Sequence, residues 1–174
     1  MVWDEHVDPV VTPRLVLHPL TPAEAERVAA RTPEPGDRWA PGYPREDDVD
    51  GARLFLAACA ASGEPWPFGT YEIRRREDGR AIGTAGFHGP PDAGGEVAVG
   101  YGLVPQARRR GYAAEALRAL LDVAREQGVR CVTGDTEADN TASRRTMSAA
   151  GMQLVRDDGR LAHYALRQPA ADGA

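Results

Sequence analysis

Only two cysteines occur in the 174 residues, Cys59 and Cys131, and neither stands in a CxxC spacing. A disulfide framework or a thiolate metal site needs paired or clustered cysteines, so the reading is two reduced, buried thiols. Long apolar runs are missing too: charge, Gly or Pro interrupts every hydrophobic stretch well short of the roughly 20 residues that span a bilayer. The opening MVWDEHVDP carries acids where a secretory signal has a basic start and an apolar stretch. A cytoplasmic protein with no membrane partner is therefore expected. Basic residues are outnumbered, 21 against 26 acids for a formal net charge of −5, which leaves little to neutralise nucleic-acid phosphates. No GxxxxGK or HExxH occurs, so a nucleotide-hydrolysing loop and a metal site lack support. The spacing of Gly83, Gly86 and Gly89 lies in a strand with no helix behind it, and fails as a dinucleotide fingerprint.

What is present fits one globular domain, 1–174, with an ordered core over about 12–168 and loose ends. Apolar residues make up 42% and charged residues 27%. The charge is uneven. Arg108, Arg109 and Arg110 stand together, whereas acids cluster at Glu46 to Asp48 and Asp135 to Asp139, and a basic spot on an acidic chain suits a small polyanion.

Arg14 to Leu20 alternates as a strand. Thr21-Pro22 starts a short helix, with Thr as cap and Pro in the first turn. The Pro- and Gly-rich stretch 32–45 is a loop whose aromatics, Trp39 and Tyr43, either shape a pocket or pin the loop to the core. Helical spacing returns over 46–61 through Val49, Ala52, Phe55, Leu56 and Cys59. Three strands follow, Phe68 to Arg74, Ala81 to His88 and Glu96 to Val104, as an antiparallel meander with a tight Asp78-Gly79 turn. Residues 111–127 form the clearest helix. Ala114, Leu117, Leu121 and Ala124 line one side, with Glu115, Arg118, Asp122 and Arg125 opposite. A strand over Arg130 to Thr136, a helix over Thr141 to Ala150, and strands over Gln153 to Arg156 and Leu161 to Leu166 complete the chain. The long helix is a crossover, so the Glu96 and Arg130 strands are parallel neighbours. The fold class is α+β: a mostly antiparallel sheet with one parallel pair, flanked by about four helices.

Chemistry concentrates where the Glu96 strand ends, an arginine-rich turn follows and the long helix begins. Amides at a helix start are unpaired and carry partial positive charge, so those of Arg109, Arg110, Gly111, Tyr112 and Ala113 can hold a phosphate group. Gly111 and Ala113 permit close approach. Arg108-x-x-Gly111-x-Ala113 resembles the acyl-CoA loop of the GNAT superfamily, and the order of elements from Arg14 to Leu166 is similar to that fold. The resemblance implies a diphosphate on these amides and a pantetheine arm along the backbone of Leu103 and Val104. Asn140-x-x-Ser143 resembles the branch containing ribosomal-protein N-terminal acetyltransferases. It implies that Asn140 contacts the arm and Ser143 lies near the sulfur, although Asn140 is also a plain helix cap. Many members carry Tyr as the proton donor where this chain has Met147, which cannot act so and leaves Ser143, a water or no specific acid.

The implied activity is an N-acetyltransferase that uses acetyl-CoA and an amine acceptor, without a metal, and transfers the acetyl group directly. Glu96 is the first candidate base, since Ala98, Gly100 and Gly102 on its strand side leave a bare face; the alternative is a solvated carboxylate at a hairpin end. His88 is the second, through water. The acceptor enters between Trp39 to Tyr43 and the Glu96 strand, where acidic groups favour a cation. A CoA-binding sensor without turnover is the alternative, and a homodimer is an open expectation.

Overall fold

The computed structural model describes residues 7–169; the outermost ends, for which loose chain is expected, lie outside the described residues. Eight strands, β1 (Val10–Val11), β2 (Leu15–Pro19), β3 (Thr70–Arg75), β4 (Ala81–Phe87), β5 (Glu96–Leu103), β6 (Cys131–Glu137), β7 (Gln153–Asp157) and β8 (Leu161–Arg167), form one sheet in the order β1-β2-β3-β4-β5-β6-β8-β7. Four α-helices accompany it: α1 (Pro22–Ala30), α2 (Glu46–Ser62), α3 (Tyr112–Glu126) and α4 (Thr141–Ala149). The mixed sheet is as expected. Glu96, Val97 and Ala98 pair in parallel with Cys131, Val132 and Thr133, and every other neighbouring pair is antiparallel.

Three pieces depart from expectation. β1 lies within the stretch expected to be loose, and Val10 and Val11 pair with Leu17 and Val16 because a two-residue strand leaves no periodic signature. A 3₁₀ turn over Pro105–Ala107 follows β5, set by the proline in its first position. The expected hairpin at Asp78-Gly79 is a longer connection: Gly79 takes φ +69° and donates to Arg75 C=O, and the β3–β4 register shifts between Ile73 and Arg74.

Helix starts follow their caps. Thr21 accepts from Glu24 N–H at 3.2 Å while the Glu24 carboxylate accepts from Thr21 N–H at 2.8 Å, a reciprocal pair that satisfies two orphan donors. α3 buries Leu117, Leu120, Leu121 and Ala124 together with Ala114 and Ala116, and packs on β2, β4 and β5 of the sheet. Glu115 is the exception on its outward side. It is turned back to accept from Thr12 Oγ1 at 2.7 Å and Arg14 Nε at 2.9 Å.

Two outcomes follow from this packing. Leu117 is fully buried, so Leu117→Ala should lower stability by about 2–5 kcal/mol in denaturant unfolding. Burial alone would raise the Glu24 carboxyl, but the His18 ring, Thr21 N–H and the charge of Arg74 bring it from its ordinary 4.5 down to about 2. A carboxyl depressed in the folded state stabilises above its unfolded value and loses that contribution as pH falls through its folded value. Stability should therefore decline between pH 4.5 and about 2, and Glu24→Gln should flatten that part of the stability-against-pH curve.

Candidate functional site

The parallel pairing of β5 with β6 stops at Ala98 and Thr133. Beyond it β5 continues beside β4 alone, Val99 to Leu103 against Phe87 to Gly83, while β6 continues beside β8. The sheet forks. Within β5, His88 N–H donates to Ala98 C=O and Val104 N–H to Ile82 C=O. This phase turns the backbone groups of Ala98, Gly100 and Gly102 toward β4, and those of Val99, Tyr101 and Leu103 into the fork. Leu103 turns its N–H into the fork, while its C=O accepts from Arg108 Nε. Val104, expected beside it along the arm, turns away: its N–H goes to Ile82 and its C=O accepts from Ala107.

At the open end of the fork stands the arginine-rich bend. Arg108 N–H donates to Pro105 C=O and its Nε to Leu103 C=O at 3.1 Å, so Arg108 closes the 3₁₀ turn. Arg109 and Gly111 then take φ +64° and +80°. The first bond of α3 runs from Glu115 N–H to Gly111 C=O at 3.1 Å, which leaves the amides of Tyr112, Ala113 and Ala114 with no carbonyl a turn behind them. Together these put donors without backbone partners at the positive end of a helix dipole. The side chains of Arg109 and Arg110 are exposed beside it.

The bend is held from behind by a residue that sequence reading missed. Arg14 Nη1 donates to Arg110 C=O at 2.7 Å, its Nε pairs with Glu115 at 2.9 Å, and its guanidinium lies 4.5 Å from the centre of the Tyr112 ring. Bonds from Thr12 and Arg14 outweigh burial and hold the Glu115 carboxyl below its ordinary range. No periodicity signals this clasp, because Arg14 and Glu115 are distant in sequence.

The expected bare face of β5 is occupied. A side chain on Gly100 would come within 2.8 Å of His88 Nε2, and one on Gly102 would strike the Arg45 guanidinium. The glycines make room for neighbouring side chains. Arg45 is bound by the fully buried Asp48 at 2.8 and 3.0 Å, and Asp48 accepts from Thr84 Oγ1 at 2.6 Å. Tyr43 is buried and donates to Glu72 at 2.9 Å; burial and the nearby carboxylates push its hydroxyl well up. Trp39 meets the Tyr43 ring edge-on at 5.5 Å. These aromatics pin the loop. His88 is exposed above Gly100, just past the fork, and Glu96 is exposed at the start of β5, on the paired side of it. A further His163 Nδ1–Asp135 contact of 2.6 Å joins β8 to its neighbour β6, within one prong of the fork.

On the other face, α4 packs against the fork. Asn140 caps it, accepting from Ser143 N–H at 3.1 Å. Tyr101, unremarked in the sequence, reaches across from β5 to within 2.8 Å of Ser143 Oγ and 3.1 Å of its carbonyl. Met147 is buried, and its sulfur lies 3.1 Å from where a side chain on Gly134 would begin. Burial pushes the Cys59 and Cys131 thiols up, away from reactive thiolates. Among the described residues no cluster of His, Cys, Asp or Glu is placed to hold a metal, and no helix is long and apolar enough to cross a membrane.

Comparison with known proteins converges on this geometry. The family model for the acetyltransferase (GNAT) domain matches residues 14–153. The uncharacterized N-acetyltransferase YjdG of Bacillus subtilis (strain 168) is 25% identical over 123 residues, covering 70% of this chain and 73% of its own length. The acetyltransferase from Agrobacterium tumefaciens str. C58 superposes with a TM-score of 0.66 at 25% identity, covering 97% of this chain and 99% of that one. The ribosomal-protein-S5-alanine acetyltransferase from Vibrio fischeri shares the fold, with a TM-score of 0.66 at 12% identity over 95% of this chain and 98% of its own. A match that begins at the Arg14 clasp, takes in the fork and its bend, and runs past α4 assigns the chain to the GNAT family of acyl-CoA-dependent acetyltransferases.

Proposed function

We propose that this protein carries an acetyl group from acetyl-CoA directly to an amine, either a peptide N-terminus or a small-molecule amine, with both substrates bound at once. The observation that carries the reading is the alignment of two features: a nest of unpaired amides from Arg109 to Ala114, and a strand edge at Leu103, Tyr101 and Val99 leading from it into the fork. An anionic diphosphate suits the first, and an extended amide-bearing arm suits the second. Four steps of about 3.3 Å separate Leu103 from Val99, so a ligand anchored at the bend reaches the fork with its far end. Acetyl-CoA supplies the activated thioester there.

Inward-facing amides of β5 at the far end, those of Tyr101 and Val99, are then available to polarise the acetyl carbonyl. His88 over Gly100 is the better placed of the two candidate bases for taking the amine proton, directly or through water, because Glu96 lies on the closed side of the fork. Asn140 fixes the first turn of α4, and Ser143 presents its hydroxyl on the fork side. The reaction is tested by mixing the protein with acetyl-CoA and a panel of amines and following free thiol: release that depends on the amine supports the reading, and none with any amine counts against it.

Gly111→Val tests the anion cradle. At φ +80° a β-branched residue is strained, and its Cβ would sit 3.3 Å from the Arg14 guanidinium that holds the bend. CoA affinity should fall at least about tenfold, equivalent to about 1.4 kcal/mol, while the thermal midpoint changes by only a few degrees; wild-type affinity in this variant would refute the assignment.

A further inference from the structure

We propose that Tyr101 is a positioning residue that fixes the Ser143 hydroxyl as hydrogen-bond donor to the CoA sulfur. The inference rests on the fork being the acyl-CoA channel, and extends it to the fate of the leaving group. Tyr101 belongs to β5, one prong of the fork, and Ser143 to α4, which packs against the other. Their hydroxyls meet at 2.8 Å, so this pair spans the gap along which the arm would run. Ser143 lies in the first turn of α4, where the helix dipole favours negative charge such as a developing thiolate.

Met147, one turn further along the same helix face, is buried in the core under Gly134 and has no proton to give. Tyr101 does: burial holds its hydroxyl protonated, above the ordinary range, against the lowering effect of Ser143 and Thr146, and Tyr164 is the other titratable group that acts on it. A phenol has one hydrogen. Directed at Ser143 Oγ, the nearer acceptor at 2.8 Å against 3.1 Å for the Ser143 carbonyl, it leaves the serine hydrogen free to point into the fork.

In the transfer, the amine nitrogen bonds to the acetyl carbon and gives up a proton to the base. The carbon–sulfur bond breaks with its electron pair left on sulfur. Ser143 Oγ–H then donates to that thiolate until solvent returns a proton, so atoms and charge balance.

A donor to the thiolate lowers the thiol pKa, which can be read without any acceptor. Ultraviolet thiolate absorbance of protein-bound CoA, as a difference against CoA-free protein, gives the titration in wild type, Tyr101→Phe, Ser143→Ala and the double variant. Each single variant should raise the bound-thiol pKa by about one pH unit, the double variant by no more than either alone, and Ser143→Thr should restore most of the wild-type value. Tyr101 acting only as a packing residue would leave the titration unmoved, and fully additive shifts would mean that the two hydroxyls do not act together; either result overturns the proposal. Tyr101→Met, which also removes the phenol hydroxyl, takes the place of Tyr101→Phe if that variant proves unstable. Calorimetry on the same samples separates the two readings: CoA binding with an unchanged thiol titration removes the role of Tyr101 alone, whereas a wild-type protein that does not bind CoA removes the fork assignment with it.

Discussion

The organisation of this protein depends on β5 changing its partners halfway. Its first three residues bond to β6, and its remainder bonds only to β4. Backbone donors and acceptors left inside a protein are costly unless paired, so a strand edge facing inward is kept only where something else satisfies it. The wedge is visible in the side chains: Met147, Met152 and Val99 crowd the space above Gly134, the first residue of β6 past the parallel pair. A residue larger than glycine there would press on the buried Met147 sulfur. Buried Met147 is thus part of the packing at the point where the two strands part.

The bend at the mouth of the fork is stiffened by a separate device. Arg14 joins the start of the domain to the bend through a carbonyl, a carboxylate and an aromatic ring at once. Each contact is modest for a partly exposed arginine, but all of them constrain the same few residues. Backbone amides bind anions well when they need not reorganise, and Arg109 and Gly111 already hold the positive φ values that point their neighbours' N–H groups outward. The arginines of the bend add field strength; the shape comes from the main chain.

Much of this was legible in the sequence, for identifiable reasons. The stripe Ala114, Leu117, Leu121 and Ala124 placed α3, and an α3 of that length between two strands required the parallel pair. Thr21, Asn140 and Gly111 marked helix starts through local chemistry. The rest depended on contacts far apart in the chain. Glycines at 100 and 102 read as vacant space, yet the volume belongs to His88 and Arg45, which come from other elements. Glu115 read as a solvent residue because its partners lie about a hundred positions away. Tyr101 was invisible as a site residue since nothing local distinguishes it from the core tyrosines at 71 and 164. Val104 was assigned to the ligand edge, but strand phase, which periodicity alone does not give, turns it toward β4.

The central claim is that the inward edge of β5 and the bend beyond it make one continuous acyl-CoA channel. A crystal structure of the protein with coenzyme A tests this most directly. The diphosphate should accept from the amides between Arg109 and Ala114, with the arm paired to Leu103 and the sulfur beside Ser143. A diphosphate lodged instead in the surface cleft between Arg118, Arg125 and Arg167, with the bend empty, would contradict it.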